Sequence, residues 1–155
     1  MRKALMGPCL TMAGALLLLS WSPSHAKQCL EGTARAKERA FSPAVATEGG
    51  KVVWLAGQTA LEDATGKSLE GNFEGQTRAV FAALDRTLQR AGGKLDDVVT
   101  MTVFITDVRH GDRFVQIRKE LFKDCYPASA LVTVSGFARP GILIEIQGVA
   151  VLGGK

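Results

Sequence analysis

The sequence is short of the residues from which most familiar active sites are built. Two histidines occur in 155 residues, His25 and His110. A histidine-based metal cluster needs more ligands than that. No GxGxxG follows an apolar, β-rich run, which excludes the usual dinucleotide cradle, and GxxxxGK[ST] does not occur, which excludes a P-loop. HExxH, GxSxG and CxxC are missing too. Carboxylate-only metal sites stay open, but no spacing of Asp and Glu favours one. No run of lysine and arginine is interleaved with aromatics, so nothing points to nucleic acid. The one long apolar run, Leu10 to Leu19, falls short of the ~20 residues that cross a bilayer.

That run sits in a recognisable frame. Arg2 and Lys3 precede it, and Ser24 and Ala26 follow as a small-x-small pair. A charged head, a short apolar centre and a small-residue exit describe a secretory signal peptide over residues 1–26. The expectation is a mature domain over residues 27–155 that is periplasmic or secreted, with no membrane contact after cleavage. Losing Arg2 and Lys3 and no acid lowers the formal charge from +4 to +2. Cys9 leaves with the signal, so Cys29 and Cys125 remain in a compartment where disulfides persist. They can bridge or stay free, since sequence does not say whether their Cα atoms come within bonding distance. His110 is the only histidine left to activate either thiol, and no Asp or Asn partner for it is suggested.

The mature chain mixes its elements. Residues 33–39, TARAKER, read as an edge strand or an extended lead-in. KVVWLAGQTA is a strand by its β-branched and aromatic content, with Gly57 interrupting the side-chain row. Residues 61–71 read as a loop. From Asn72 the period changes: Val80, Phe81, Leu84, Leu88 and Ala91 share a helical face, Asn72 can cap its start and Gly92-Gly93 end it. DDVVTMTVFITDV alternates as a strand. Phe114, Ile117, Leu121 and Phe122 mark a second amphipathic helix. SALVTVSGF and residues 142–152 are the last two strands. This order predicts an α+β fold with two helices on one face of a single mixed sheet. In the final strand Ile142, Ile144, Ile146, Gly148 and Ala150 point to the helices. Leu143, Glu145, Gln147, Val149 and Val151 point the other way. A face that is half apolar and half polar suits a subunit interface with a wet pocket better than open solvent.

VVWLAGQT, LQRAGGKLDDVVTMTVFITD and YPASALVTVSGFARPGILIEIQGVAV together resemble the RidA/YjgF family, from about Phe41 to Val151. The resemblance implies a chorismate-mutase-like α+β fold and a homotrimer with ligand clefts between neighbouring subunits. It also implies cofactor-free hydrolysis of enamines and imines to 2-keto acids and ammonia. In the family an arginine in a PARS motif grips the substrate carboxylate in bidentate fashion. A glutamate on the last strand positions or activates water.

Carried over by position, Glu145 is the glutamate and Gly57 the glycine after the first strand. Phe41 stands where many members have tyrosine. Pro127 and Ala128 open the PARS motif, but Ser129 occupies the arginine position. Leu131 replaces a common cysteine, and Val115 an asparagine. A lost charge-assisted contact of ~1.5–3 kcal/mol would weaken carboxylate binding ~10- to 1000-fold. Arg118, three residues beyond Val115 on the same helical face, is the candidate replacement; Arg139 in the turn before Pro140 is the other. Both also read as ordinary surface arginines, and Glu145 as a structural carboxylate at a subunit interface. Three functions follow. The first is a small-molecule-binding trimer, a hydrolase through Glu145 and water but poor on 2-imino acids. The second is a genuine 2-iminobutanoate/2-iminopropanoate deaminase with a relocated cation such as Arg118. The third is a non-catalytic interaction or holdase-like protein.

Overall fold

The structure is a computed structural model that describes residues 27–123 and 125–153. The expected signal peptide, residues 1–26, lies outside the described residues, as does the end of the chain. Among the described residues the strands and α-helices follow in this order. They are β1 (Gln28–Cys29), α1 (Ala34–Glu38), β2 (Val45–Ala46), β3 (Lys51–Gln58), α2 (Phe73–Ala91), β4 (Val98–Ile105), α3 (Gly111–Phe122), β5 (Ala128–Thr133) and β6 (Ile144–Leu152).

The sheet order is β3-β6-β4-β5. β6 is antiparallel to both of its neighbours, whereas β4 and β5 run parallel, joined by α3 as a crossover. The mixed sheet and its helical cover are those expected. α2 begins where Asn72 accepts a hydrogen bond from the Gly75 amide at 2.9 Å and ends at Gly92, whose φ of 90° suits a residue without a Cβ.

Alternation in the strands divides the sheet cleanly. Leu55, Val98, Met101, Val103, Ile105, Ile144, Ile146 and Ala150 form a core with Val80, Phe81, Leu84 and Leu88 of α2 and Phe114, Ile117 and Phe122 of α3. Among the described residues no helix covers the opposite face. Trp54 is 80 % exposed there with Val52 beside it on β3, and Val132 is exposed at the other edge on β5. Thr102 and Phe104 pair across the ladder with Gln147 and Glu145. The uncovered face is therefore the mixed one read from residues 142–152.

Residues 33–39 depart from expectation. Instead of an edge strand or an extended lead-in, Ala34–Glu38 form α1, and the Thr33 hydroxyl accepts from the Ala36 amide at 3.3 Å. Ala40 follows in the left-handed region with φ 54°, and the Phe41 amide returns to the Ala36 carbonyl. The turn swings the chain back, and Ser42 bridges Ala128 in parallel beside β5. A five-residue helix is too short to hold itself, so docking rather than propensity decides its form. β1 and β2 add a separate two-stranded pairing. Cys29 and Cys125 are joined by a disulfide with Cα atoms 5.6 Å apart.

Candidate functional site

Two groups of candidate residues emerge, on opposite faces of the sheet. The first lies under α1. A pocket of about 270 Å3 is lined by Arg35, Arg39, Phe41, Arg118, Ser129 and Leu131. Strand register explains half of it. Ser129 and Leu131 stand opposite Met101 and Val103, both buried on the helix side, so they face α3 rather than the open face. α1 and its left-handed turn supply the other wall.

Arg118 is the centre of this group. It is only 2 % exposed, and one guanidinium nitrogen, Nη1, donates to Ser129 Oγ at 2.5 Å. Nη2 donates to the Arg39 carbonyl at 2.6 Å, whereas the buried Nε has no partner. The guanidinium carbon lies 4.9 Å from the Phe114 ring centroid, one helical turn back, so a cation–π contact supports it. Arg118 forms no ion pair among the described residues. Burial is the main cause that pushes its pKa down to about 10, and repulsion from Arg39 adds to it. It stays cationic through the neutral range all the same. A desolvated guanidinium with donors to spare and no acid beside it is suited to gripping an anion.

Arg35 and Arg39 were not among the expected site residues. Their four-residue spacing places them on one face only if the segment is helical, which is how the structure has it. Arg39 reaches Asp112 at 2.5 Å. Arg139 does not line this pocket.

The second group is on the open face. Glu145 of β6 stands opposite Phe104. Its carboxylate lies over Gly57, where a Cβ would come within 2.8 Å of Glu145 Cδ. The β3–β6 register shifts between Leu55 and Gln58, so Gly57 falls in the irregularity. Glu145 makes no side-chain hydrogen bond or ion pair among the described residues. Gln76, fully buried on α2, holds the approach to β6. Its Nε2 donates to the carbonyls of Leu69 and Gly141 at 3.0 and 2.8 Å, and its Oε1 accepts from the Leu143 amide at 2.9 Å. Sequence singled out no role for it; a glutamine at a core position of an amphipathic helix is the available signal.

Within one chain, then, Phe41, Arg118, Ser129 and Leu131 come together, and Glu145 meets Gly57, but the two groups do not meet. Val115 is buried in α3. Among the described residues no group of three His, Cys, Asp or Glu side chains could hold a metal ion, and no helix is long and apolar enough to cross a membrane.

Comparison with known proteins agrees with this architecture. A RutC family protein of Aquifex aeolicus is 34% identical over 112 residues, 72% of this chain and 87% of its own. The protein DfrA of Myxococcus xanthus is 33% identical over 72% of this chain and 84% of its own. The crystal structure of YyfB, a Rid family protein of unknown function from Yersinia pestis, superposes with a TM-score of 0.70 at 26% identity, covering 82% of this chain and 98% of that one. YyfA of the same organism does so with a TM-score of 0.60 at 30% identity, covering 82% and 100%. The family model described as Endoribonuclease L-PSP matches residues 32–152, and the chain belongs to this family, the RidA/YjgF family.

Proposed function

We propose that this protein is a cofactor-free hydrolase of 2-imino acids in which Arg118, rather than a residue of β5, binds the substrate carboxylate. The observation that carries this reading is the contact between Arg118 and Ser129. By resemblance Ser129 stands where the family has its arginine, and the buried guanidinium of Arg118 from α3 donates to its hydroxyl. On this reading the positive charge beside the Ser129 position comes from a helix rather than from the strand.

The site is complete only between subunits. One chain offers the Arg118 pocket, and a neighbour offers Glu145 over Gly57. The uncovered mixed face, with Trp54 and Val52 exposed, supplies an interface for a homotrimer. The hydrolysis balances as follows. Glu145 takes a proton from water as its oxygen attacks C2 of the protonated imine, and the C=N π pair moves to nitrogen. The proton passes to that nitrogen. The C–N bond of the carbinolamine then breaks with its electron pair leaving on ammonia, the remaining O–H proton passes through Glu145 to that ammonia, and a 2-oxo acid and ammonium are released. Arg118 holds the carboxylate so that C2 stays fixed during attack.

The family description names an endoribonuclease, but a pocket of about 270 Å3 fits a small molecule better than an RNA strand. Export before the first described residue would place the reaction outside the cytoplasm. The test is the decay of 2-iminopropanoate generated in situ. The protein should accelerate it, and Glu145→Gln should lose ~100-fold or more in kcat. Decay equal to that in buffer, with a protein that sizes as a trimer, would overturn the reading.

A further inference from the structure

The pocket holds more positive charge than a simple 2-imino acid calls for. On the reading above, Arg118 answers one carboxylate and a neighbour's Glu145 answers the protonated imine nitrogen. Arg35 and Arg39 are left over.

Their surroundings in the chain do not account for them. Arg35 forms no ion pair among the described residues. Arg39 pairs with Asp112, whose side chain is 86% exposed, so that contact is screened by water and weak. The pocket is thus lined by three arginines and no acid, Arg118 buried at its base and Arg35 and Arg39 toward solvent, with Asp112 reaching only Arg39. Arg39 repels Arg118 across it, which contributes to the lowered pKa of Arg118. The burial cost falls on Arg118 alone, and an anion lodged between the two walls would offset it while meeting the donors of Arg35 and Arg39.

We infer that the pocket selects 2-imino dicarboxylates, with the α-carboxylate on Arg118 of α3 and the distal carboxylate between Arg35 and Arg39 of α1; the inference rests on the hydrolase reading and names its substrate class. The charges then match. Two carboxylates and one protonated imine make a net monoanion. Three arginines, Asp112 and the neighbour's Glu145 make a net monocation. The reaction is the hydrolysis written above, with a 2-oxo dicarboxylate and ammonium as products. Reactions that supply such an imine are those that oxidise or eliminate from acidic amino acids.

The experiment compares two imines made in situ by amino-acid oxidases, 2-iminosuccinate from aspartate and 2-iminopropanoate from alanine. The protein should prefer 2-iminosuccinate by ~10-fold or more in kcat/KM. Arg35→Ala and Arg35→Gln should each reduce that ratio by about tenfold, and Arg35→Lys should keep most of it. Equal or greater activity on 2-iminopropanoate, or a preference that survives both neutral variants, overturns the dicarboxylate inference and leaves the hydrolase reading standing. No acceleration of either imine overturns both.

Discussion

Two arginines five residues apart on α3 live in opposite worlds. Arg113 is 39% exposed and donates to Glu74 through Nε and Nη2, at 3.0 and 2.5 Å. Arg78 donates to the same Glu74 and to Glu120, so α2 and α3 are laced by alternating charges. The guanidinium pKa values of Arg78 and Arg113 are raised, first of all by those hydrogen bonds. Arg118 is buried, pairs with no acid among the described residues, and its pKa is lowered. One arrangement is complete without a ligand; the other is not. The comparison separates arginines that hold a fold from arginines that wait for a guest, and each prediction below is a way to break or sharpen it.

The largest effect concerns the frame of the pocket. The disulfide joins residues 96 apart in sequence. It ties the strand before α1 to the segment entering β5, so it brackets the walls that carry Arg39 and Ser129. In the chain-entropy model a loop of this length contributes about 4–5 kcal/mol. Cys29→Ser with Cys125→Ser should lose about that much in denaturant unfolding. Ligand binding should weaken too, while the ion network of α2 and α3, which lies elsewhere, stays formed. An unchanged midpoint in the double variant would show that α1 is docked without the bridge.

The next effect is on Arg118 itself. Arg118→Met should weaken binding of a 2-oxo acid product ~10- to 1000-fold by calorimetry without lowering Tm, because an apolar side chain of similar length removes an uncompensated buried charge. A large fall in Tm with binding intact would break the comparison and make Arg118 a structural residue like Arg113. The pH dependence has a definite sign. The cation binds the anion, and its pKa in the free protein is about 10. Affinity should therefore be level through neutral pH and fall above about pH 10, near tenfold per pH unit. The stability cost of burying the charge is complete below that value. It shrinks as pH rises from there toward the ordinary arginine range, where the folded chain has lost a proton that the unfolded chain keeps.

How far the sequence discloses this division depends on the residue. The four strands of the main sheet and both long helices lie where periodicity and caps place them, because Asn72, Gly92 and the alternation of Ile144, Glu145 and Ile146 are local signals. Arg118 is legible as a helix-face residue near Ser129. That its guanidinium reaches Ser129 Oγ depends on the parallel register of β4 and β5, which no local pattern encodes. Arg35 and Arg39 were hidden for a different reason. A polar five-residue helix carries no hydrophobic period, and only docking beside β5 aligns its two arginines. The meeting of Glu145 with Gly57 depends on a register shift in β3, likewise a product of pairing.

The smallest effect belongs to the completed cluster. Glu74 accepts from both Arg113 and Arg78, and these contacts, Arg113 first, hold its carboxyl below the ordinary range. Its folded pKa is depressed, so its contribution is complete at neutral pH and is lost as pH falls through the carboxylate range. Glu74→Gln should lower Tm at pH 7 by no more than about 4 °C, since exposed pairs of this kind are screened. The difference should vanish in acid and shrink in high salt. Ligand binding should not change, because Glu74 does not line the pocket under α1. An effect of Glu74→Gln on affinity as large as that of Arg118→Met would mean that α3 transmits strain from its outer face to the pocket, and the two arginines would then be parts of one device rather than two.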